Sequence, residues 1–477
     1  MKKARKNKLL RQLYIATATI GLLVLFIHSY VTEISLAFPL LLMACALYLW
    51  FSFKKIPDLF LNLGLLLTLL VFTAYNIVNL SSISYYYIPV AAVSMLVALL
   101  FNDCELVFVA SVISALAVGM ITGNNFHLSL VFLFGSLTAG AVVFGARRRS
   151  QIIKAGFYAG VVQFATPILL NPSREFFLYE RFFLAYLVPL VGNGLICAGI
   201  TTLLLPIFEY VFKVLTNISL LELADFNHPL LKELIAKAPG TYHHSLLVGN
   251  LAEAAANAIS ANALFARVGA YYHDIGKIEK AQYFSENLPA GRSKHEKLET
   301  TMSKTIIVNH VKEGLELARK HHLNPLLVDF ISQHHGTSLT HYFYWKALEK
   351  MNGEDQEVEE EVFRYPGPKP QKREIAIVLL ADSVEAACRT IEEPTPQRIE
   401  ETVRKIINNK FIDGQLDECE LTLKDLEKIS ATFTHVLCAI YHPRVKYPKE
   451  NHEDNPNQFA GKTSNGQDAK AAGREDS

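Results

Sequence analysis

Histidine and aspartate recur in this chain at positions that could hold metal ions: His243-His244, His273-Asp274, His310, His334-His335 and, far downstream, Asp382 in Leu380-Ala381-Asp382-Ser383. Imidazole nitrogen with carboxylate oxygen suits borderline divalent ions such as iron, manganese, zinc, cobalt or nickel, whereas a calcium site draws mostly on oxygen. Three or four such ligands hold one ion and leave positions open to water and substrate, so this set is large enough for two ions. On a helix, adjacent His and Asp side chains diverge by about 100°, which lets the histidine face one ion while the carboxylate lies between two. A shared carboxylate holds such ions about 3.5–4 Å apart, a separation that serves in-line attack on phosphorus. The chemistry predicted is phosphodiester hydrolysis. His321-His322, His341, His435 and His442 lack convergent partners in the pattern and read as surface or core residues, because a metal site needs convergence rather than number.

The elements that must position these residues are helices. From Leu215 to about Tyr441 apolar residues recur at i, i+3 and i+4, as in Leu230-Leu231-x-x-Leu234-Ile235 and Leu246-Leu247-x-x-Asn250-Leu251. Alternating strand-like runs joined by Asn-Gly or Asp-Gly are missing, so this half is expected to be all α. The acidic, proline-containing stretch Gly353-Gln371 is expected to be a surface loop between two helical blocks. The polar tail 448–477 has one aromatic, Phe459, and is expected to be disordered.

The first half is of another kind. The 477 residues are 51% hydrophobic and only 19% charged, with a mean hydropathy of +0.22, which excludes a purely soluble protein of average composition. Apolar runs of about 20 residues span a bilayer as helices, and eight candidates precede residue 215: 13–30, 34–53, 59–79, 85–101, 105–123, 126–146, 152–170 and 182–212. Residues 1–214 are therefore expected to form a polytopic bundle and 215–447 a separate soluble domain. The basic N-terminus, Lys54-Lys55 and Arg147-Arg148-Arg149 all fall on one side when eight spans cross, which places the N-terminus and the C-terminal half in the cytoplasm. Ala139-Gly140-Ala141 and Gly192-Asn193-Gly194 suit close helix packing, with Asn193 making a helix–helix hydrogen bond. Lys+Arg 46 against Asp+Glu 45 gives no basic excess, so no nucleic-acid polymer is expected as partner. Six scattered cysteines without CxxC spacing read as free thiols of a reducing compartment.

The order His, His-Asp, Asp resembles the HD-domain phosphohydrolase superfamily. It is carried here by Tyr242-His243-His244-Ser245, Tyr272-His273-Asp274-Ile275-Gly276-Lys277 and Leu380-Ala381-Asp382. The additional His310, His334 and His335 resemble the two-metal HD enzymes. Ala238-Pro239-Gly240-Thr241, Asn309-His310-Val311-Lys312-Glu313-Gly314 and Gln333-His334-His335-Gly336-Thr337 extend the likeness to the membrane-embedded 7TM-HD subgroup, the PgpH-type cyclic di-AMP phosphodiesterases of bacteria. The resemblance implies a cytoplasmic HD domain with two divalent ions, manganese or iron. One ion would be held by His244, His273, Asp274 and Asp382, the other by Asp274, His310, His334 and His335. It makes His244 rather than His243 the ligand and Asp274 the bridge, and it offers Lys277 to a substrate phosphate, with Ser383 and Asn287 as weaker candidates. It implies a bacterial inner-membrane protein that opens cyclic di-AMP to 5'-pApA. Cyclic di-GMP, a linear dinucleotide or a receptor that binds without cutting are the alternatives, and homo-oligomer formation is left open. Typical members carry a large extracellular domain after the first span, where this sequence has only Val31-Thr32-Glu33.

Overall fold

The computed structural model describes residues 58–80, 82–170, 180–288, 294–350 and 359–441. The expected first two spans, residues 353–358 of the expected loop and the tail 448–477 lie outside the described residues. Among the described residues there is no β-strand, only an isolated bridge between Leu339 and Arg364.

The apolar half is built from α1 (Leu59–Leu80), α2 (Val90–Phe101), α3 (Cys104–Ile121), α4 (Phe126–Val143), α5 (Arg149–Leu170) and α6 (Glu180–Phe212). All but α2 are long and apolar enough to cross a membrane. The expected span 85–101 is in fact a 3-10 turn, Tyr85–Tyr87, followed by α2. Pro89 explains the break: it has no N–H to donate and it holds Ile88 in extended backbone. Polar side chains close the neighbouring turns, with Asp103 Oδ1 accepting from Leu106 N (2.9 Å) and Asn125 Oδ1 from Leu128 N (3.0 Å). Helices α5 and α6 meet backbone to backbone, since a Cβ on Gly194 would lie 2.1 Å from Gly156 O and 2.6 Å from Gly160 N. Beside that contact the buried Asn193 donates to Ile88 O (3.2 Å) and to Gln163 Oε1 (3.4 Å), so its amide joins helices rather than lining a path.

The second half comprises α7 (Asn217–Leu223), α8 (Pro229–Lys237), α9 (Pro239–Ala258), α10 (Ala263–Tyr272), α11 (Thr300–Lys320), α12 (Pro325–Gln333), α13 (His341–Lys350), α14 (Arg373–Cys388), α15 (Pro396–Ile412) and α16 (Leu423–Ile440). Proline at the first helical turn of α8, α9, α12 and α15 starts four of them without wasting a hydrogen bond. A Thr422–Asp425 capping box starts α16. The core is a second apolar cluster, distinct from that of α1–α6, and α14 runs through it with every residue from Ile375 to Asp382 buried. A helix buried on nearly all sides holds its residues rigidly, which suits the late Asp382.

Helix α7 joins the halves. Ile218 packs into the first apolar cluster and Leu220 into the second. Buried Glu209, near the end of α6, accepts from Thr216 N (3.0 Å) and Ser219 Oγ (2.7 Å). Arg149 pairs with Glu222 through Nε (2.7 Å) and Nη2 (3.0 Å).

Candidate metal centre

His244 lies on the buried face of α9 with Thr241, Ser245 and Val248, while its neighbour His243 is exposed. His273 is the C-cap of α10 and Asp274 follows it, leading into a 3-10 turn, Ile275–Lys277. The His-Asp pair thus occupies a helix end rather than a helix interior, and the expected 100° divergence within one helix does not describe it. Gly276 is needed in that turn because a Cβ there would lie 1.8 Å from His310 O and 2.5 Å from Gly314 N. The missing side chain lets α11 close on the turn and sets His310 beside Asp274. His334 is the C-cap of α12, with the His335 ring 4.0 Å from its own.

Two groups of ligand atoms result, each with all its atoms within 4.8 Å of one another: Asp274, His310, His334 and His335, and His244, His273 and Asp274. Asp274 belongs to both. Its Oδ1 lies 3.3 Å from His310 Nε2 and 3.6 Å from His334 Nε2, and its Oδ2 lies 3.3 Å from His273 Nε2 and 3.7 Å from His244 Nε2. Asp382 is in neither group as drawn by that distance, but its Oδ1 lies 3.0 Å from His244 Nε2 and its Oδ2 lies 3.6 Å from His335 Nδ1. Lys277 Nζ lies 2.6 Å from Asp274 Oδ2 and 2.9 Å from Glu286 Oε1, and its stem is nearly buried. Ser383 Oγ turns back onto Leu379 O of its own helix, and Asn287 Oδ1 accepts from Thr241 N (3.0 Å) at the start of α9, so both are engaged by protein groups.

The hydrogen bonds decide whether a cation fits. Nδ1 of His273 faces Ala270 O (2.6 Å), that of His310 faces Ile307 O (2.5 Å), and that of His334 faces Phe330 O (3.0 Å). Carbonyl oxygens only accept, so each Nδ1 carries the proton and each Nε2 presents a lone pair. His310 Nε2 and His334 Nε2 then face one another at 3.2 Å, an arrangement that repels unless a cation lies between them. His273 Nε2 and Asp274 Oδ1 are buried without a hydrogen bond, a costly state for polar atoms in protein interior, while Asp274 Oδ2 is paired with Lys277. The donor set fits divalent ions.

The electrostatics agree with ligand duty. Burial pushes His310 down to about 4, and burial with the neighbouring His334 holds His335 well below the usual range, so both are neutral near pH 7. Burial would raise Asp274, but His273 and Lys277 override it and hold the carboxyl well below its usual range. Asp382 is likewise lowered against its burial, chiefly by His244 and His335. Burial lowers His244, yet Asp382 and Glu385 more than offset it and raise it to about 10. A proton and a metal ion compete for the same Nε2, so the carboxylates of Asp382 and Glu385 that raise His244 also favour a cation at this corner of the site.

Three contacts were not signalled by the motif. Glu385, one turn beyond Asp382, takes His244 Nδ1 at 2.6 Å and is buried. Glu286 holds Lys277. Tyr365 stacks on His335 with ring centroids 4.2 Å apart, although it belongs to the stretch expected to be a surface loop. Phe363 and Tyr365 are both buried, so this end of the loop packs onto the site. The i+3 spacing from Asp382 was the available signal for Glu385; for Tyr365 there was none, because only the chain reversal brings it to His335.

A helical membrane segment followed by an all-α unit with paired His/Asp groups defines a class of membrane proteins with an attached HD domain. A family profile described as "7TM receptor with intracellular HD hydrolase" matches residues 8–216, and one described as "HD domain" matches residues 241–387. The chain belongs to this family and is a multi-pass membrane protein whose HD domain implies divalent-metal binding. It is 40% identical over 370 residues to a Bacillus subtilis protein named cyclic-di-AMP phosphodiesterase PgpH, covering 76% of this chain and 51% of the relative. A Listeria monocytogenes protein of the same name is 39% identical over 395 residues, covering 82% of this chain and 53% of the relative. The chain thus spans about half the length of the curated relatives it matches. It is also similar to the crystal structure of the L. monocytogenes PgpH HD domain in complex with cyclic-di-AMP, at 47% identity over 46% of this chain and all of that one, with a TM-score of 0.44.

Proposed function

We propose that this protein is a metal-dependent phosphodiesterase of the bacterial inner membrane that hydrolyses cyclic di-AMP to linear 5'-pApA. The observation that carries the reading is the sharing of Asp274 between two buried groups of histidine nitrogens. In it, His244, His273, Asp274 and Asp382 hold one divalent ion and Asp274, His310, His334 and His335 the other, with manganese or iron as the metals. The adenine choice is supported by the names of the two relatives, both cyclic-di-AMP phosphodiesterases. The division 1–214 membrane bundle, 215–447 HD domain and 448–477 tail, the cytoplasmic placement of the N-terminus and HD domain, and assembly as a homo-oligomer belong to the same proposal.

Such ions, when bound, supply Lewis acidity toward phosphate and toward water. The residues of the chain do the rest. His273, His310 and His334 are locked by their Nδ1 hydrogen bonds into the tautomer that offers Nε2 inward. Glu385 does the same for His244 and adds negative charge behind it. Lys277, its ammonium fixed by Asp274 and Glu286, places positive charge at the edge of the site where a phosphate oxygen gathers charge. The apolar packing of α10, α12 and α14 behind the ligands keeps the geometry from relaxing.

The test follows cyclic di-AMP and cyclic di-GMP by chromatography with the full chain in detergent micelles, loaded with manganese or, anaerobically, with iron, beside Asp274→Ala. Conversion of cyclic di-AMP to 5'-pApA that disappears in the variant supports the proposal. Binding without turnover in any metal refutes it in favour of a receptor, and preferred turnover of cyclic di-GMP refutes the adenine assignment.

A further inference from the structure

Outside the ligand set, one cation near the metal centre has no anion of its own. Lys410, in the last turn of α15, donates to Ser338 Oγ at 2.6 Å, and that neutral hydroxyl is its one hydrogen-bond partner among the described residues. Ser338 is buried and lies three residues beyond His335, and its carbonyl accepts from the N–H of Tyr365, the ring stacked on His335. The ammonium therefore stands against the segment that forms one wall of the site. The carboxylates near enough to act on it are Asp382 and Asp413. Asp382 faces the histidines His244 and His335. Asp413 is taken by Arg364 (2.8 Å) and by Gln415 Nε2 (2.9 Å). Burial pushes Lys410 down to about 8, with Arg364 adding to the effect. A partly buried charge with no ion pair of its own is unfavourable, and an arriving anion offsets that cost.

A cyclic dinucleotide carries two phosphodiesters in one ring. Only one can lie at the metal ligands, so the other must be received by a group beside them. Lys277 is already held by two carboxylates, whereas Lys410 has donors to spare. Resting on the phosphodiesterase reading above, we propose that Lys410, oriented by Ser338, binds the second, uncleaved phosphodiester of the substrate and so selects cyclic dinucleotides over simple phosphodiesters.

The experiment compares the metal-loaded full chain in detergent micelles with Lys410→Met, Lys410→Gln and Lys410→Arg on two probes, cyclic di-AMP and bis(p-nitrophenyl) phosphate, which has a single phosphodiester. The readout is the ratio of kcat/KM between the probes. Both neutral variants are expected to lower that ratio about 10- to 100-fold, the loss expected for a hydrogen bond to a charged group, with the change carried by KM, and Lys410→Arg is expected to recover most of it. A ratio unchanged in both neutral variants overturns the proposal, as does an equal loss on both probes accompanied by lower bound metal, which makes Lys410 a structural residue. A wild-type protein that cleaves bis(p-nitrophenyl) phosphate but not cyclic di-AMP overturns the substrate reading itself, and this inference falls with it.

Discussion

Replacing Glu385 tests the link between the fold and the metal centre most directly. Its Oε2 lies 2.6 Å from His244 Nδ1, both side chains are buried, and the other cation near it, Arg389, is 3.8 Å away. A short, charge-assisted bond in such surroundings fixes the ring and raises the basicity of its far nitrogen. Glu385→Ala removes the acceptor and leaves a buried N–H unpaired, which costs about 1–3 kcal/mol. That corresponds to roughly 10–100-fold in metal affinity, in the range found when partners of metal-bound histidines are lost. Glu385→Gln keeps an acceptor oxygen and loses only the charge, so its effect should fall at the lower end. His244 and His273 form one ligand group with Asp274, whereas His310, His334 and His335 form the other. The weakening should therefore concern one ion of two. Titration of the metal-stripped full chain with manganese, read by bound-metal stoichiometry and by kcat, checks this. Affinity within about twofold of wild type for Glu385→Ala, below what any buried hydrogen bond of this kind contributes, would refute the reasoning, as would equal weakening of both ions.

Asp274→Ala should abolish binding of both ions and nearly all turnover, measured as metal content and product formation, whereas His243→Ala, at an exposed position, should change stability by no more than about 0.5 kcal/mol and retain turnover. In the metal-stripped protein the joint contribution of His310 and His244 to stability should peak near pH 6.5, and above about pH 8 Lys410, lowered to about 8, should offset part of the His244 loss. His310 is lowered to about 4 in the fold, so its contribution is lost as pH falls from the unfolded value toward 4, while His244 is raised to about 10 and its contribution is lost as pH rises toward 10; melting temperature against pH reads both limbs, and a monotonic profile contradicts the assignment. Gly194→Val should force α5 and α6 apart, since even a Cβ there would lie 2.1 Å from Gly156 O. The cost is on the order of 1–3 kcal/mol, visible as a lower melting temperature in detergent with metal stoichiometry retained.

Ligand types, their order and the helical character of the chain could be read directly, because histidine and carboxylate spacing and apolar periodicity are properties of the linear sequence. The apolar runs between 59 and 212 likewise announced their helices, apart from the break that Pro89 makes before α2. What the linear pattern leaves open is where side chains without a metal-binding signature end up. Glu385 looks like any helix-surface glutamate until α14 packs against α9. Tyr365 looks like a loop residue until the chain after α13 folds back over His335. The His-Asp pair looked as if it belonged inside a helix, yet the close approach allowed by Gly276 ends α10 at His273 and turns Asp274 toward the histidines of α11 and α12.

By itself the sequence determined that the protein is a helical membrane chain with a histidine- and aspartate-rich second half, since composition and periodicity require no knowledge of which helices touch. The family resemblance already implied a shared Asp274; only the tertiary structure decided how its two oxygens face the two groups of nitrogens and which tautomer His273, His310 and His334 present. Those are matters of a few ångströms between residues as far apart in the chain as His244 and Asp382, set by the packing of α9, α10 and α14 around a common core.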